Sequence, residues 1–168
     1  MNLIKRAVEE AAFIEGWMQL DELQFLAERA AGRQTIVEFG CHKGRSTKAM
    51  GIATEGLVFA VDPWRDIGSL AEFMVNLRPQ IGHGRVRPQR VASTDYVHKG
   101  PPVDMVFIDA DHGYECVVKD IKVARRLLEP GTLLCGHDYK KDHPGVMQAV
   151  NEHVPKFWLV NSIWWSIV

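Results

Sequence analysis

Cysteine is scarce in this chain, and the three that occur, Cys41, Cys116 and Cys135, are far apart and odd in number. No CxxC spacing is present, so neither a disulfide framework nor a thiolate zinc site is expected. Two of the three lie in apolar surroundings, where a buried, inert thiol is the natural reading. An excess of positive charge is lacking too: 20 Lys and Arg against 21 Asp and Glu leave a formal charge of −1. Nothing in that balance would hold a phosphate backbone, so no nucleic-acid partner is expected and a small-molecule partner is favoured. No stretch approaches the apolar length needed to span a bilayer, so no membrane partner is expected. The opening MNLIKRAVEEAAF carries charge throughout and has no uninterrupted apolar core of a secretory signal, which makes cytoplasmic residence the default expectation.

What is present is the composition of one ordinary globular domain: 168 residues, 46% apolar and 24% charged. The apolar positions Leu20, Leu23, Leu26, Ala27 and Ala30 repeat at three and four and predict a helix over Leu20–Ala31, stopped by Gly32. Short apolar strands are expected at Ile36–Phe39 and Leu57–Val61, with a glycine-punctuated turn at Gly40–Ser46 and a helix at Thr47–Ala53 between them. A helix at Ser69–Leu77 leads to a strand at Val86–Val91. Pro88 there lacks a ladder N–H and belongs at a sheet edge. Val103–Asp109 is apolar on both faces, as a central parallel strand is. Tyr114–Leu128 is an amphipathic helix ended by Pro130-Gly131, followed by a strand at Thr132–Cys135 and a short helix at Val146–Val154. Phe157–Val160 and Ile163–Val168 close the chain as an antiparallel pair, in which Trp164 and Trp165 point to opposite faces, one toward the core and one toward a subunit contact. Alternation of strands and helices from residue 35 to 154 predicts an α/β fold with a mostly parallel sheet between two helical layers.

In such sheets ligands sit beyond the carboxyl ends of the strands, so the strand tips carry the functional information. The first tip reads Val-Glu38-Phe-Gly40-Cys-His-Lys-Gly44-Arg-Ser46. Gly40 and Gly44 permit a tight turn and a close backbone approach. An acid two residues before the first glycine would repel a pyrophosphate, and the third glycine of GxGxxG is missing, which argues against a nicotinamide-dependent oxidoreductase. That acid suits an ammonium or sulfonium group instead. The second strand ends at Asp62, 22 residues after Gly40, where a carboxylate can accept two hydrogen bonds from a ribose diol. S-adenosylmethionine carries all of these groups and no phosphate. Loop glycines beside solvated acids would be the bland alternative.

On these residues the chain resembles the class I S-adenosylmethionine-dependent methyltransferases, whose first motif is E/D-x-G-x-x-x-G. More narrowly it resembles small-molecule O-methyltransferase domains related to metal-dependent macrolide-sugar and catechol enzymes. The match rests on Glu15-Gly16-Trp17, Val61-Asp62-Pro63-Trp64, Phe107-Ile108-Asp109-Ala110-Asp111-His112-Gly113-Tyr114, Gly136-His137-Asp138-Tyr139 and Pro144-Gly145-Val146 with Ala149-Val150. The resemblance implies a Rossmann-like methyltransferase fold, a three-layer αβα sandwich on a seven-stranded sheet of order 3-2-1-4-5-7-6 with the seventh strand antiparallel. It implies one domain over 1–168, with 1–32 a helical segment that contributes a lid through Trp17. It places Glu38, Gly40, Gly44, Ser46, Asp62, Trp64, Ser93 and Asp109 around the cofactor, Ser93 and Trp64 near the adenine. It assigns Asp109, His137 and Asp138 to a divalent metal, magnesium, manganese or calcium. His137 stands where the relatives have an acid, which leaves the metal open or shifts it toward a softer ion.

Transfer to oxygen needs a partly deprotonated nucleophile, hence a general base or a Lewis acid. By the same resemblance His112 is the base, since an imidazole titrates near neutral pH, with Asp109 beside it. His143, just before Pro144, reads as loop. The expected activity is O-methylation of a small hydroxylated metabolite. A metal-independent methyltransferase and a non-catalytic cofactor-binding module are the alternatives, and homo-oligomerisation through the C-terminal strand stays open.

Overall fold

The computed structural model describes residues 2–168. Two helices, α1 (Leu3–Ala12) and α2 (Leu20–Ala30), precede β1 (Thr35–Phe39), α3 (Arg45–Ala53), β2 (Leu57–Val61), α4 (Ile67–Asn76), α5 (Arg78–Gly82) and β3 (Val86–Gln89). A 3₁₀ turn at Ser93–Asp95 leads to β4 (Val103–Ile108), α6 (Tyr114–Leu127), β5 (Leu128–Gly136), α7 (Pro144–His153), β6 (Trp158–Val160) and β7 (Ile163–Ile167). The sheet order is β3-β2-β1-β4-β5-β7-β6, with β7 antiparallel to both of its neighbours. This is the expected seven-stranded order, and Pro88 lies on the edge strand β3, where its missing N–H breaks no interior ladder.

The sheet divides the apolar interior in two. Ile36, Met105, Phe107, Leu133 and Cys135 face α1, α2 and α3, whereas Val37, Phe39, Val106, Ile108 and Leu134 face α6 and α7. Alternation along each strand assigns the faces, and both are covered, so β1 and β4 read as near-continuous apolar runs.

Several boundaries differ from those predicted by periodicity, each for a local reason. Helix α4 starts two residues early because the Asp66 carboxylate accepts from the Gly68 and Ser69 amides. Helix α7 begins at Pro144 itself, since a proline in the first turn forfeits only an N–H that has no intrahelical partner. Pro130-Gly131 does not separate α6 from the next strand. The chain passes from Leu127 directly into β5 at Leu128, which pairs with Val103, and residues 129–132 form the irregularity between that pair and Met105–Leu133. The buried face of α2 carries the expected Leu23, Leu26, Ala27 and Ala30 and differs near its start. Leu20 is exposed and the acid Glu22 is buried instead. At the C-terminal pair Trp164 is core and Trp165 is half-buried, stacked on Trp158 with ring centroids 4.6 Å apart. Cys41 and Cys135 are buried, and burial pushes both thiols up, which keeps them protonated and unreactive. Among the described residues no helix is long and apolar enough to cross a membrane.

Candidate functional site

The carboxyl ends of β1, β2, β4 and β5 open onto a cavity of about 790 Å³, in the size range of cofactor sites. Gly40, Asp62, Asp109, His137 and Asp138 line it from the strand tips, and Trp17, Ser93 and His143 from the surrounding loops.

Close packing of the strand tips explains the first glycine. A Cβ on Gly40 would lie 2.1 Å from the Asp109 carbonyl oxygen, and its φ of 83° is itself open to few other residues. Gly44, at φ 90°, caps α3 in the left-handed region, where a Cβ would strike Leu77. Between them Asp62 gathers the loop. One carboxylate oxygen accepts from the Cys41 and His42 amides at 2.9 and 3.1 Å, and the other from the Trp64 amide at 2.6 Å. Each carboxylate oxygen has two acceptor sites, so Asp62 keeps capacity toward the cavity that it lines.

Glu38 occupies a different place from the one expected of a cofactor-facing acid. It is wholly buried and outside the cavity lining. Along β1 its side chain shares the helix-covered face with Ile36, and it runs beneath the start of α3. There the hydroxyls of Ser46 and Thr47 each donate to one of its oxygens at 2.5 Å. Burial raises this carboxyl to about 7 against the pull of both hydroxyls. Ser46 reaches the cavity wall, but its hydroxyl is committed to Glu38. The motif acid therefore holds the glycine loop from below, and the loop presents its backbone to the cavity.

Trp64 and Ser93 both border the cavity. The Trp64 ring packs in the core against Phe73, and its indole N–H donates to the His42 carbonyl at 2.8 Å. Ser93 donates to the buried Asp120 carboxylate of α6. Trp17 is 75% exposed, which rules out a core role, and its ring lies 5.2 Å from that of His42 at the cavity rim.

The tips of β4 and β5 bring Asp109, His112, His137 and Asp138 together, along with two residues, His143 and Lys140, that spacing along the chain did not place there. His112 Nε2 is 2.7 Å from Asp138 Oδ2. His143, read as plain loop, stacks on the His112 ring at 3.9 Å and lies 3.6 Å from Asp138 Oδ1. Lys140 approaches the same oxygen at 2.6 Å. Burial opposes ionisation of Asp138, but its hydrogen bonds with His137 and Lys140 hold it well below the usual carboxylate range.

His137 is buried with acceptors around both ring nitrogens. Nε2 faces Glu22 Oε2 at 3.2 Å and Ser162 Oγ at 2.9 Å, while Nδ1 faces Asp109 Oδ1 and Asp138 Oδ1, each at 3.4 Å. Burial pushes the imidazole down, but the surrounding carboxylates of Asp109, Asp138 and Glu22 overcome this and lift it to about 11. The same interactions, with Ser162 and the Gln19 amide, bring Glu22 down to about 2 against its burial.

The donor set suits a divalent ion. Distances of 3.4 Å are long for charge-assisted hydrogen bonds, which close to about 2.7–2.9 Å. Ligands at about 2.1 Å from a shared ion lie roughly 3.0–3.4 Å from one another. Asp109, His137 and Asp138 offer one ligand atom each within 4.8 Å of one another. Lys140 is on a long, partly exposed stem and can yield Oδ1.

The sequence of a family described as methyltransferase domain matches residues 37–139, the span from β1 to just past β5. No curated protein matches the chain by sequence. Solved structures do match in fold. An inferred O-methyltransferase from Klebsiella pneumoniae superposes with a TM-score of 0.75 at 21% identity, covering 100% of this chain and 90% of that one. An O-methyltransferase from Bacillus cereus, solved with S-adenosylhomocysteine, gives 0.73 at 16% identity, covering 98% and 89%. The O-methyltransferase TomG from Streptomyces achromogenes, involved in tomaymycin synthesis and solved with S-adenosylmethionine, gives 0.71 at 14%, covering 100% and 90%. At such identities the likeness speaks for the fold. The family match spans more than half of the 168 residues, and the chain belongs to the methyltransferase domain family, the class I enzymes that take their methyl group from S-adenosylmethionine.

Proposed function

We propose that this protein methylates a hydroxyl group of a small metabolite, with S-adenosylmethionine in the cavity over β1 and β2 and the acceptor over β4 and β5. The observation that carries this reading is the convergence of His112, Asp138 and Asp109 on the same cavity that Asp62 and the Gly40 loop line. Asp62 accepts from a ribose hydroxyl with the one acceptor site on Oδ1 that its three amide contacts leave free. The glycine loop lets the backbone come close to the cofactor, and Glu38 holds the start of α3 behind that loop.

Proton removal falls to His112. With its Nε2–H donated to Asp138 at 2.7 Å, Nδ1 is left as the acceptor for the substrate hydroxyl, the tautomer a general base needs. Stacking on His143 fixes the ring plane. A divalent ion held by Asp109, His137 and Asp138 would supply Lewis-acid polarisation of the same hydroxyl. Trp17 and the segment around it would cover the acceptor side as a lid, within a single domain formed by the whole chain.

The test is transfer of labelled methyl from S-adenosylmethionine to a panel of sugars, phenols and polyketide hydroxyls, alongside calorimetric titration with S-adenosylhomocysteine. Cofactor binding with transfer to a hydroxyl supports the reading. Cofactor binding with no transfer across the panel favours a non-catalytic module, and no binding refutes it.

A further inference from the structure

Glu22 lies 115 residues upstream of His137, on a helix outside the family-matched span, yet the two side chains meet in the interior. Glu22 is 2% exposed, a rare environment for an acid, and it is fully engaged. Oε1 accepts from the Ser162 amide at 3.1 Å and the Ser162 hydroxyl at 2.5 Å, and Oε2 accepts from the Gln19 amide at 2.8 Å.

A ring that ligates a metal is a neutral imidazole with one N–H, and these bonds determine which nitrogen of His137 keeps it. The one proton of the Ser162 hydroxyl goes to Glu22, so toward His137 that oxygen can only accept. Glu22 Oε2 is an acceptor as well. Both neighbours of Nε2 therefore demand an N–H there. Nδ1 is the nitrogen left facing Asp109 and Asp138, at spacings too long for close hydrogen bonds and suited to a shared ion.

We propose that Glu22 is a positioning residue for a transition-metal centre: it fixes the His137 tautomer so that Nδ1 joins Asp109 and Asp138 as a nitrogen ligand. A carboxylate behind a histidine orients the ring and raises its basicity, and losing such a partner typically weakens metal affinity 10–100-fold. One imidazole with two carboxylates favours manganese, iron, cobalt or zinc over magnesium and calcium, which prefer oxygen alone. The helix α2 thus supplies ion selectivity to strand tips that are distant in sequence. The inference rests on the methyltransferase reading only for what the ion would do there, since the binding itself needs no cofactor.

The test uses the full-length metal-stripped protein and Mn²⁺ alone, with affinity from calorimetry and ligation from pulsed electron paramagnetic resonance. The wild-type protein should bind one Mn²⁺ with the nitrogen coupling of a directly ligated imidazole. His137→Asn, which offers an amide oxygen in place of Nδ1, should bind without that coupling. Glu22→Gln presents an amide N–H toward Nε2, drives the hydrogen onto Nδ1, and should bind 10–100-fold more weakly. Glu22→Asp keeps the charge but shortens the reach and should also weaken binding, which decides the point where the glutamine variant fails to melt cooperatively. Wild-type affinity in both Glu22 variants overturns the positioning role. Absence of Mn²⁺ binding, or binding without nitrogen coupling in the wild type, overturns the centre. S-adenosylhomocysteine titrated into the same samples separates these failures from failure of the cofactor site.

Discussion

Glu38 makes a quantitative demand on stability. Its carboxyl is buried and lifted to about 7, whereas an unfolded chain ionises it near its ordinary value of 4.5. Below pH 4.5 both states hold the proton. Between about 4.5 and 7 the unfolded chain has released it and the folded protein keeps it, so folding takes up a proton and stability falls with rising pH. The slope is about 1.4 kcal/mol per pH unit for one proton, and a shift of about 2.5 units amounts to roughly 3 kcal/mol lost by pH 8. Glu38→Gln removes the titration while keeping an oxygen for the Ser46 or Thr47 hydroxyl. Urea denaturation of the cofactor-free protein at pH 5 and pH 8 should give the wild type a drop about 2.5 kcal/mol larger than that of Glu38→Gln, since part of the loss is already complete at pH 5. Equal drops in the two proteins would show that Glu38 is ionised in the folded state across the range, and the argument from burial would fail.

Further outcomes follow from the same geometry. Asp62→Ala should weaken S-adenosylhomocysteine binding by about 1–3 kcal/mol in calorimetry, and should lower the melting temperature as well, because three loop amides lose their acceptor. His112→Ala should lower methyl transfer by roughly 10²–10⁴-fold with cofactor affinity retained, and an unchanged rate would remove it as the base. Gly40→Ala should cost about 3 kcal/mol or more, or prevent folding, since its Cβ would overlap the Asp109 carbonyl. A melting curve like that of the wild type would refute this close approach. At the acid end, Glu22 is held near 2, so its contribution is present above about pH 4.5 and is lost as pH falls toward 2. Glu22→Gln should flatten that acid limb.

The strands were legible because burial on both faces writes itself as uninterrupted apolar runs, and Pro88 declared its own edge. Helix starts were less so, because Asp66 and Pro144 set them through capping and missing donors rather than through periodicity. The cavity residues at the strand tips followed from position along β1, β2, β4 and β5. The direction of Glu38 did not: alternation on β1 sends it under α3, while the cavity lies beyond the tip. His143, Lys140 and Glu22 were missed because they meet Asp138 and His137 through tertiary packing that no local spacing encodes. One signal was available for Glu22. It lies four and eight residues before Leu26 and Ala30, on the buried stripe of its helix, where an acid needs a partner.

The guanidinium of Arg45 sets how the N-terminal arch can move. It donates to the carbonyls of Ala12, Ile14 and Met18, and so rivets both feet of the segment carrying Trp17 to the first turn of α3. Withdrawal of the two leading helices as a unit would strip that cation of all three acceptors at once. Swings of the Trp17 indole and small shifts of the chain beside it leave all three bonds intact, and side-chain and loop motions of that kind take nanoseconds to microseconds. Those are brief beside a turnover of about 1–10³ per second, so passage over this rim would not set the pace of the reaction.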